Sequence, residues 1–200
     1  MTTEAAIIKI LSFTTTSDLF VCSLGRTAET TFSYIENTDR VLFVDCLGAT
    51  IGLGVGIALA NNKTSVYAFE TDGSFFYDMT ILNSIHKLRD QLLNFHPIIF
   101  DNEVLESAGG MPSASLDFSW GDIAKAWDLP LVVVSDEESL NSFFVSNSIH
   151  SPSLLVIKVD NSQVPERCTK DIDGIESRYR FKRFLNTKVR KGIIRPCTKN

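Results

Sequence analysis

Six short apolar runs punctuate the chain: "DLFVCSL" (18–24), "RVLFVD" (40–45), "TSVYAFE" (64–70), "HPIIFD" (96–101), "PLVVVS" (130–135) and "SLLVIKV" (153–159). None alternates strictly between apolar and polar positions. Continuous runs of this length, rich in Val, Ile and Phe, predict strands buried on both faces, as in a parallel sheet. Between them lie segments long enough for helices: "AETTFSYIE", "TIGLGVGIALAN", "FFYDMTILNSIHKLRD", "SWGDIAKAW" and "DEESLNSFFVSN". Strand and helix alternate, which predicts an α/β fold: a parallel sheet of about six strands with right-handed crossovers and helices on both faces. The tail from about Gly174, "GIESRYRFKRFLN", predicts a closing helix in which Phe181, Phe184 and Leu185 pack while Arg and Lys face water. No internal repeat, low-complexity tract or linker divides the sequence, so residues 1–200 are expected to form a single domain.

Composition narrows the class. A chain of 200 residues with 44% hydrophobic and 22% charged content is that of a globular protein able to bury a core without disulfides. A net charge of -5 argues against nucleic acid as a partner, and the basic stretch "RYRFKRFLNTKVRKGIIR" reads as a solvated helix face. No apolar run reaches the roughly 18 residues of a membrane span. The start "MTTEAAIIKILSF" lacks the basic region and cleavage site of a leader. Cys22, Cys46, Cys168 and Cys197 are scattered without a C-x-x-C pair and read as reduced thiols of a cytoplasmic protein. His86, His96 and His150 fall in no ligand pattern, and His86 reads as a helix-surface residue.

In an open parallel sheet, ligands bind at the carboxyl ends of the strands near the topological switch point. That rule selects "SLGRTAE" (23–29), "DCLGAT" (45–50), "ETDGS" (70–74), "DNEVLESAGG" (101–110) and "SDEESL" (135–140). The last is a helix start, with Ser135 or Asp136 as cap and Glu138 in the first turn. Asp72 and Asn102 end successive strands. Singly, each is a turn residue. Together with a backbone carbonyl and phosphate oxygens they satisfy Mg²⁺, which takes one or two carboxylates and prefers octahedral oxygen. Gly73 and Ser74 follow at a helix start, where free N–H groups favour phosphate. Gly48, Gly52 and Gly56 recur every four residues, which permits close approach of a neighbouring element or chain, or tight packing within the domain.

"TDGS", followed after 28 residues by Asn102, resembles the thiamin-diphosphate motif that begins G-D-G and ends in Asn. "DCLGATIGLGVGIALA" resembles the segment upstream of that motif. "DNEVLESAGGMPS" is similar to the N-N-G-x-Y-E-S-x-G-G-Q-P-T stretch of phosphonopyruvate decarboxylase and of the sulfopyruvate decarboxylase beta subunit. "VCSLGRTAETTF" and "GIESRYRFKRFL" resemble their early strand–Gly–helix segment and closing helix. The resemblance covers most of the chain, and the order and spacing of its motifs are specific.

The resemblance implies the diphosphate-binding domain of a thiamin-diphosphate-dependent 2-oxoacid decarboxylase acting on a phosphonopyruvate- or sulfopyruvate-type substrate. Asp72, Asn102 and the Val104 carbonyl would bind Mg²⁺. Gly73 and Ser74 would meet the diphosphate, with Leu105 and Glu106 adding backbone N–H contacts. Leu47 would wedge beneath the cofactor to bend it, next to Gly48, and the Asp45 carbonyl would accept a hydrogen bond from its amino group. For Leu47 a plain core leucine is an equal reading. The activating glutamate belongs to a separate pyrimidine-binding domain, so the chain is expected to be one subunit of an α/β-type hetero-oligomer and inactive alone. An acetolactate-synthase-like carboligase, a 2-oxoacid oxidoreductase beta subunit and a non-catalytic partner subunit are the alternatives; for the second, the cysteines offer no iron–sulfur spacing. Four positions depart from the pattern: Thr71 for the first Gly, Asp101 for the first Asn, Glu103 for Gly and Leu105 for an aromatic residue.

Overall fold

The computed structural model of the protein describes residues 1–146, 152–160 and 173–190. Its strands are β1 (Leu19–Ser23), β2 (Val41–Val44), β3 (Val66–Thr71), β4 (Phe95–Asp101), β5 (Val104–Leu105), β6 (Met111–Pro112), β7 (Leu131–Val134) and β8 (Leu154–Lys158). Its helices are α1 (Thr3–Leu11), α2 (Arg26–Tyr34), α3 (Ala49–Ala60), α4 (Asp72–Phe75), α5 (Ile81–Leu88), α6 (Trp120–Ala126), α7 (Glu137–Val145) and α8 (Gly174–Arg190). The six apolar runs form one sheet in the order β2-β1-β3-β4-β8-β7, every neighbouring pair parallel. The expected parallel α/β sheet is therefore present. The unalternating pattern has a plain cause. Leu19 and Val21 enter one buried layer with residues of α3, α5, α6 and α8, while Phe20 and Cys22 enter the other with residues of α1, α2 and α7. Both faces are covered, so both side-chain parities are apolar.

From β1 the chain steps to β2 on one side, then to β3 on the other. The switch point thus lies between the carboxyl ends of β1 and β3. β5 and β6 form a small antiparallel hairpin directly after β4. This hairpin and α1 were not foreseen in the sequence; α1 is capped by Thr2, whose hydroxyl accepts the Ala5 N–H at 3.1 Å.

Of the helix predicted over "FFYDMTILNSIHKLRD", α5 occupies only Ile81–Leu88, and residues 76–80 form the turn that follows α4. The Thr80 hydroxyl bonds the Asp78 carboxylate, a local side-chain contact that competes with helix continuation. Asp136, not Ser135, caps α7, accepting the Ser139 N–H at 2.8 Å. In α8, Phe181 is buried and Phe184 and Leu185 pack on the core. Ser177 fastens the helix to the edge strand, accepting the Phe43 N–H at 3.0 Å and donating to the Val41 carbonyl at 3.1 Å. The basic stretch beyond residue 190, Cys168, Cys197 and His150 lie outside the described residues.

Within the expected stripe Gly48 makes the close approach: a Cβ there would lie 3.0 Å from Tyr77 Cβ and 3.1 Å from the Asp78 backbone nitrogen. Outside the stripe, Gly54 packs closer still, its Cβ position lying 2.7 Å from the Phe95 ring and 3.1 Å from Ala68. Gly56 faces open space. Leu53 and Leu59 on α3 are exposed beside it, although α3 carries no charged residue.

His86 sits on α5 beside Asp128. His96 on β4 packs at a tilt against Tyr67 with ring centroids 4.7 Å apart, and burial pushes its pKa down to about 4. A lowered base pKa means the unfolded chain takes up a proton that the native state refuses. The stabilisation is full above about pH 6.5 and is lost as pH falls towards 4. His96→Phe should therefore flatten this acid limb by on the order of 2–3 kcal/mol, read as the difference between urea melts of wild type and variant at the two pH values. Equal acid limbs would contradict it.

Candidate functional site

A cavity of about 480 Å³ opens at the carboxyl ends of the central strands, a volume suited to a small molecule. Gly25 and Arg26 line it from the end of β1, Leu47 from the end of β2, and Gly73 and Ser74 from the end of β3. Asn102, Val104, Leu105 and Glu106 line it from the hairpin. The sequence-selected residues thus converge at the switch point, with three exceptions. Asp45 is exposed and outside the lining. Gly48 lies below, in the left-handed region (φ 80°), its N–H donating to the Ser74 hydroxyl at 2.9 Å. Asp72 is fully buried behind the wall.

Thr71, standing for the motif's first glycine, has ordinary extended backbone (φ -102°), so no glycine is needed. Its hydroxyl accepts the Ser74 N–H at 3.4 Å, a capping contact that a glycine could not make. Gly73 cannot be replaced as easily: a Cβ there would collide with the Leu105 side chain.

Asp72 and Asp101 share one hydroxyl. Ser115 Oγ lies 3.0 Å from Asp72 Oδ2 and 2.9 Å from Asp101 Oδ1. The other Asp101 oxygen accepts from Trp120 Nε1 at 2.6 Å and pairs with Lys158 Nζ at 2.7 Å. Burial opposes ionisation of Asp101, but Lys158, Trp120 and Ser115 outweigh it and hold its pKa below the usual carboxylate range. For Asp72 the balance reverses. Burial, with the neighbouring Asp101 charge added, pushes its pKa up despite Ser113 and Ser115. Its Oδ1 is buried with no hydrogen-bond partner. A second buried carboxyl, Glu70, is also pushed up by burial, although the hydroxyls of Ser74 and Ser23 and the Thr71 N–H partly offset this.

Of the departures, Asp101 and Glu103 stand outside the cavity lining and pair with Lys158, whereas Leu105 lines the cavity. Glu103, where relatives of the resembled family have Gly, takes φ 64°, a conformation glycine adopts without strain. Its carboxylate meets Lys158 Nζ at 2.7 Å. Asn102 Oδ1 accepts the Val104 N–H at 3.2 Å, and its Nδ2 donates to Glu106 Oε1 at 2.9 Å. Val104 stands opposite Pro112, and the Ser113 N–H donates to the Glu103 carbonyl at 2.9 Å, so Val104–Pro112 is a non-hydrogen-bonded pair and the Val104 carbonyl is not claimed by the partner strand. N–H and C=O of one strand residue point the same way, which turns that carbonyl to the Asn102 side. Leu105 covers Gly73 with its side chain, and the Glu106 carboxylate pairs with Arg26 at 2.9 Å.

An orphaned, buried carboxylate oxygen, an amide oxygen and a free backbone carbonyl are hard donors. They fit Mg²⁺ held jointly with ligand phosphates. Among the described residues no cluster of three His, Cys, Asp or Glu side chains comes together, so a dedicated all-protein cage of those groups is not built there. Sequence reasoning missed Arg26, Ser115, Trp120, Lys158 and Glu70. Only Arg26 and Glu70 had a usable signal, since they lie within the strand-end stretches "SLGRTAE" and "ETDGS".

Comparison with known proteins bears on this geometry. The family model described as "Thiamine pyrophosphate enzyme, C-terminal TPP binding domain" matches residues 22–136. The sulfopyruvate decarboxylase subunit beta of Methanococcus maripaludis is 28% identical over 138 residues, 69% of this chain and 73% of that protein. Two solved structures share the fold. One is a Mycobacterium smegmatis protein described as a thiamin diphosphate-dependent enzyme, with TM-score 0.66 and 17% identity over 80% of this chain. The other is benzoylformate decarboxylase from Polynucleobacter necessarius, with TM-score 0.63 and 13% identity over 80% of this chain. The chain spans 31% and 33% of the lengths of those two proteins.

Proposed function

This chain belongs to the thiamine pyrophosphate enzyme family, through the C-terminal TPP-binding domain, and from that premise we propose that it is the Mg²⁺- and diphosphate-binding subunit of a 2-oxoacid decarboxylase. The observation that carries the reading is the orphaned Asp72 Oδ1, buried behind the wall of a cavity that Asn102 and Val104 line. Asp72, Asn102 and the Val104 carbonyl hold the metal. Gly73, Ser74 and the Leu105–Glu106 backbone meet the diphosphate, and Leu47 supports the cofactor rings beside Gly48 and the Asp45 carbonyl. Ser115 and the Asp101–Lys158 pair orient Asp72 from behind, the kind of outer contact that tunes metal affinity. When bound, thiamin diphosphate supplies the electron sink for the pair left as CO₂ departs.

A pyrimidine-binding partner subunit supplies the activating glutamate. Support comes from α3: a helix apolar on all sides is ordinarily buried, yet Leu53 and Leu59 are exposed here. The relative's name, sulfopyruvate decarboxylase subunit beta, directs the substrate reading to a 2-oxo acid carrying a second, sulfonate- or phosphonate-type anion. A single domain over residues 1–200 and a cytoplasmic location belong to the same reading; among the described residues no helix is long and apolar enough to cross a membrane.

The test is CO₂ release from sulfopyruvate, phosphonopyruvate and pyruvate, by the chain alone and mixed with the pyrimidine-binding subunit, each with Mg²⁺ and thiamin diphosphate. Release only from the mixture, and faster from one of the two dianionic substrates, is expected. No release from any substrate would reject decarboxylation and turn attention to carboligation.

A further inference from the structure

Arg26 is the one cationic side chain among the described residues that line the cavity. It opens α2 immediately after Gly25, whose φ of 81° turns the chain sharply at the end of β1. No side chain caps this helix start. The nearby Thr27 hydroxyl is spent instead on the Ser23 carbonyl at 2.6 Å. One terminal guanidinium nitrogen meets Glu106 Oε2 at 2.9 Å, and the other Glu106 oxygen takes Asn102 Nδ2 at 2.9 Å. Glu106 thus ties the β1–α2 turn to the hairpin across the cavity.

That contact uses one N–H of the five a guanidinium carries. Nε is buried and has no partner. A buried donor left unpaired is costly, and a guanidinium fork matches the oxygens of a tetrahedral phosphorus or sulfur acid. We infer that Arg26 binds an oxyanion of this class in the cavity through the guanidinium N–H groups that Glu106 leaves unpaired, with Glu106 holding the guanidinium in place. The anion has two sources: the cofactor diphosphate, or the phosphonate or sulfonate of the substrate. This deepens the function proposed above and rests on it only for the identity of the anion.

The experiment follows the Arg26 Nε–H resonance in the intact ¹⁵N-labelled chain, assigned by its loss in Arg26→Lys. Titration with methylphosphonate should move it saturably, and Arg26→Lys should bind the same probe on the order of 10- to 100-fold more weakly. The source is then separated in the complex with the partner subunit. Movement on adding Mg²⁺ and thiamin diphosphate assigns the anion to the cofactor. Movement only when ethanesulfonate or methylphosphonate is added to the cofactor-saturated complex assigns it to the substrate. A resonance unmoved by all of these, or Arg26→Lys binding them as wild type does, overturns the inference. If methylphosphonate moves the resonance but thiamin diphosphate does not bind, the cofactor reading falls and the oxyanion site stands.

Discussion

Asp72→Asn is expected to weaken Mg²⁺-dependent thiamin diphosphate binding by more than about 100-fold, beyond the 10–100-fold typical of residues that only support a metal ligand. The same change should leave the unliganded chain as stable as wild type or more so. Asp72 is buried, one of its oxygens lacks a partner, and burial raises its pKa. An acid with a raised native pKa binds its proton more tightly when folded. Its ionisation therefore opposes folding, and increasingly so as pH rises from the ordinary Asp value through the raised one. The variant removes that term. Thermal melts should show wild type losing ground to Asp72→Asn as pH rises through this range. A variant that both binds cofactor normally and melts early would make Asp72 an ordinary structural carboxylate.

Lys158→Met should have the largest effect on stability at neutral pH. It leaves Asp101 buried, still hydrogen-bonded to Ser115 and Trp120 but without its counter-charge. Breaking a buried pair from one side costs about 3–5 kcal/mol. Because the Lys158 side chain is 34% exposed, solvent screens part of this and about 2 kcal/mol is the expectation. The sign with pH is set by Asp101, whose native pKa is lowered. Its stabilisation is full above the unfolded Asp value and disappears as pH falls through the native one. Chemical denaturation should accordingly separate wild type from Lys158→Met at neutral pH and bring them together in acid. Asp101→Asn in the Lys158→Met background should recover most of the loss. A difference under about 0.5 kcal/mol at neutral pH would mark the pair as a surface contact.

The strands and their parallel pairing were readable because burial on both faces leaves a continuous apolar run. The hairpin was not, since two-residue strands leave no periodicity. Asp72 and Asn102 stood out through their spacing; Asn102 lines the cavity at the switch point and Asp72 is buried behind its wall. What spacing did not carry is where each carboxylate points. Asp101 and Glu103 stood out only as departures from the pattern, yet both turn to Lys158, a residue more than fifty positions away on β8. Thr71, another departure, is a helix cap. Arg26 sat unremarked in "SLGRTAE" because its significance depends on Glu106 and a buried Nε, neither visible along the chain.

The most direct test of the metal–diphosphate clamp is calorimetric titration of thiamin diphosphate into the intact chain mixed with its pyrimidine-binding partner, with and without Mg²⁺, for wild type and Asp72→Asn. Saturable binding by wild type that requires Mg²⁺ and is lost in Asp72→Asn is the predicted result. Absence of binding by wild type in the presence of both partner and Mg²⁺, or binding that Asp72→Asn leaves unchanged, would contradict it.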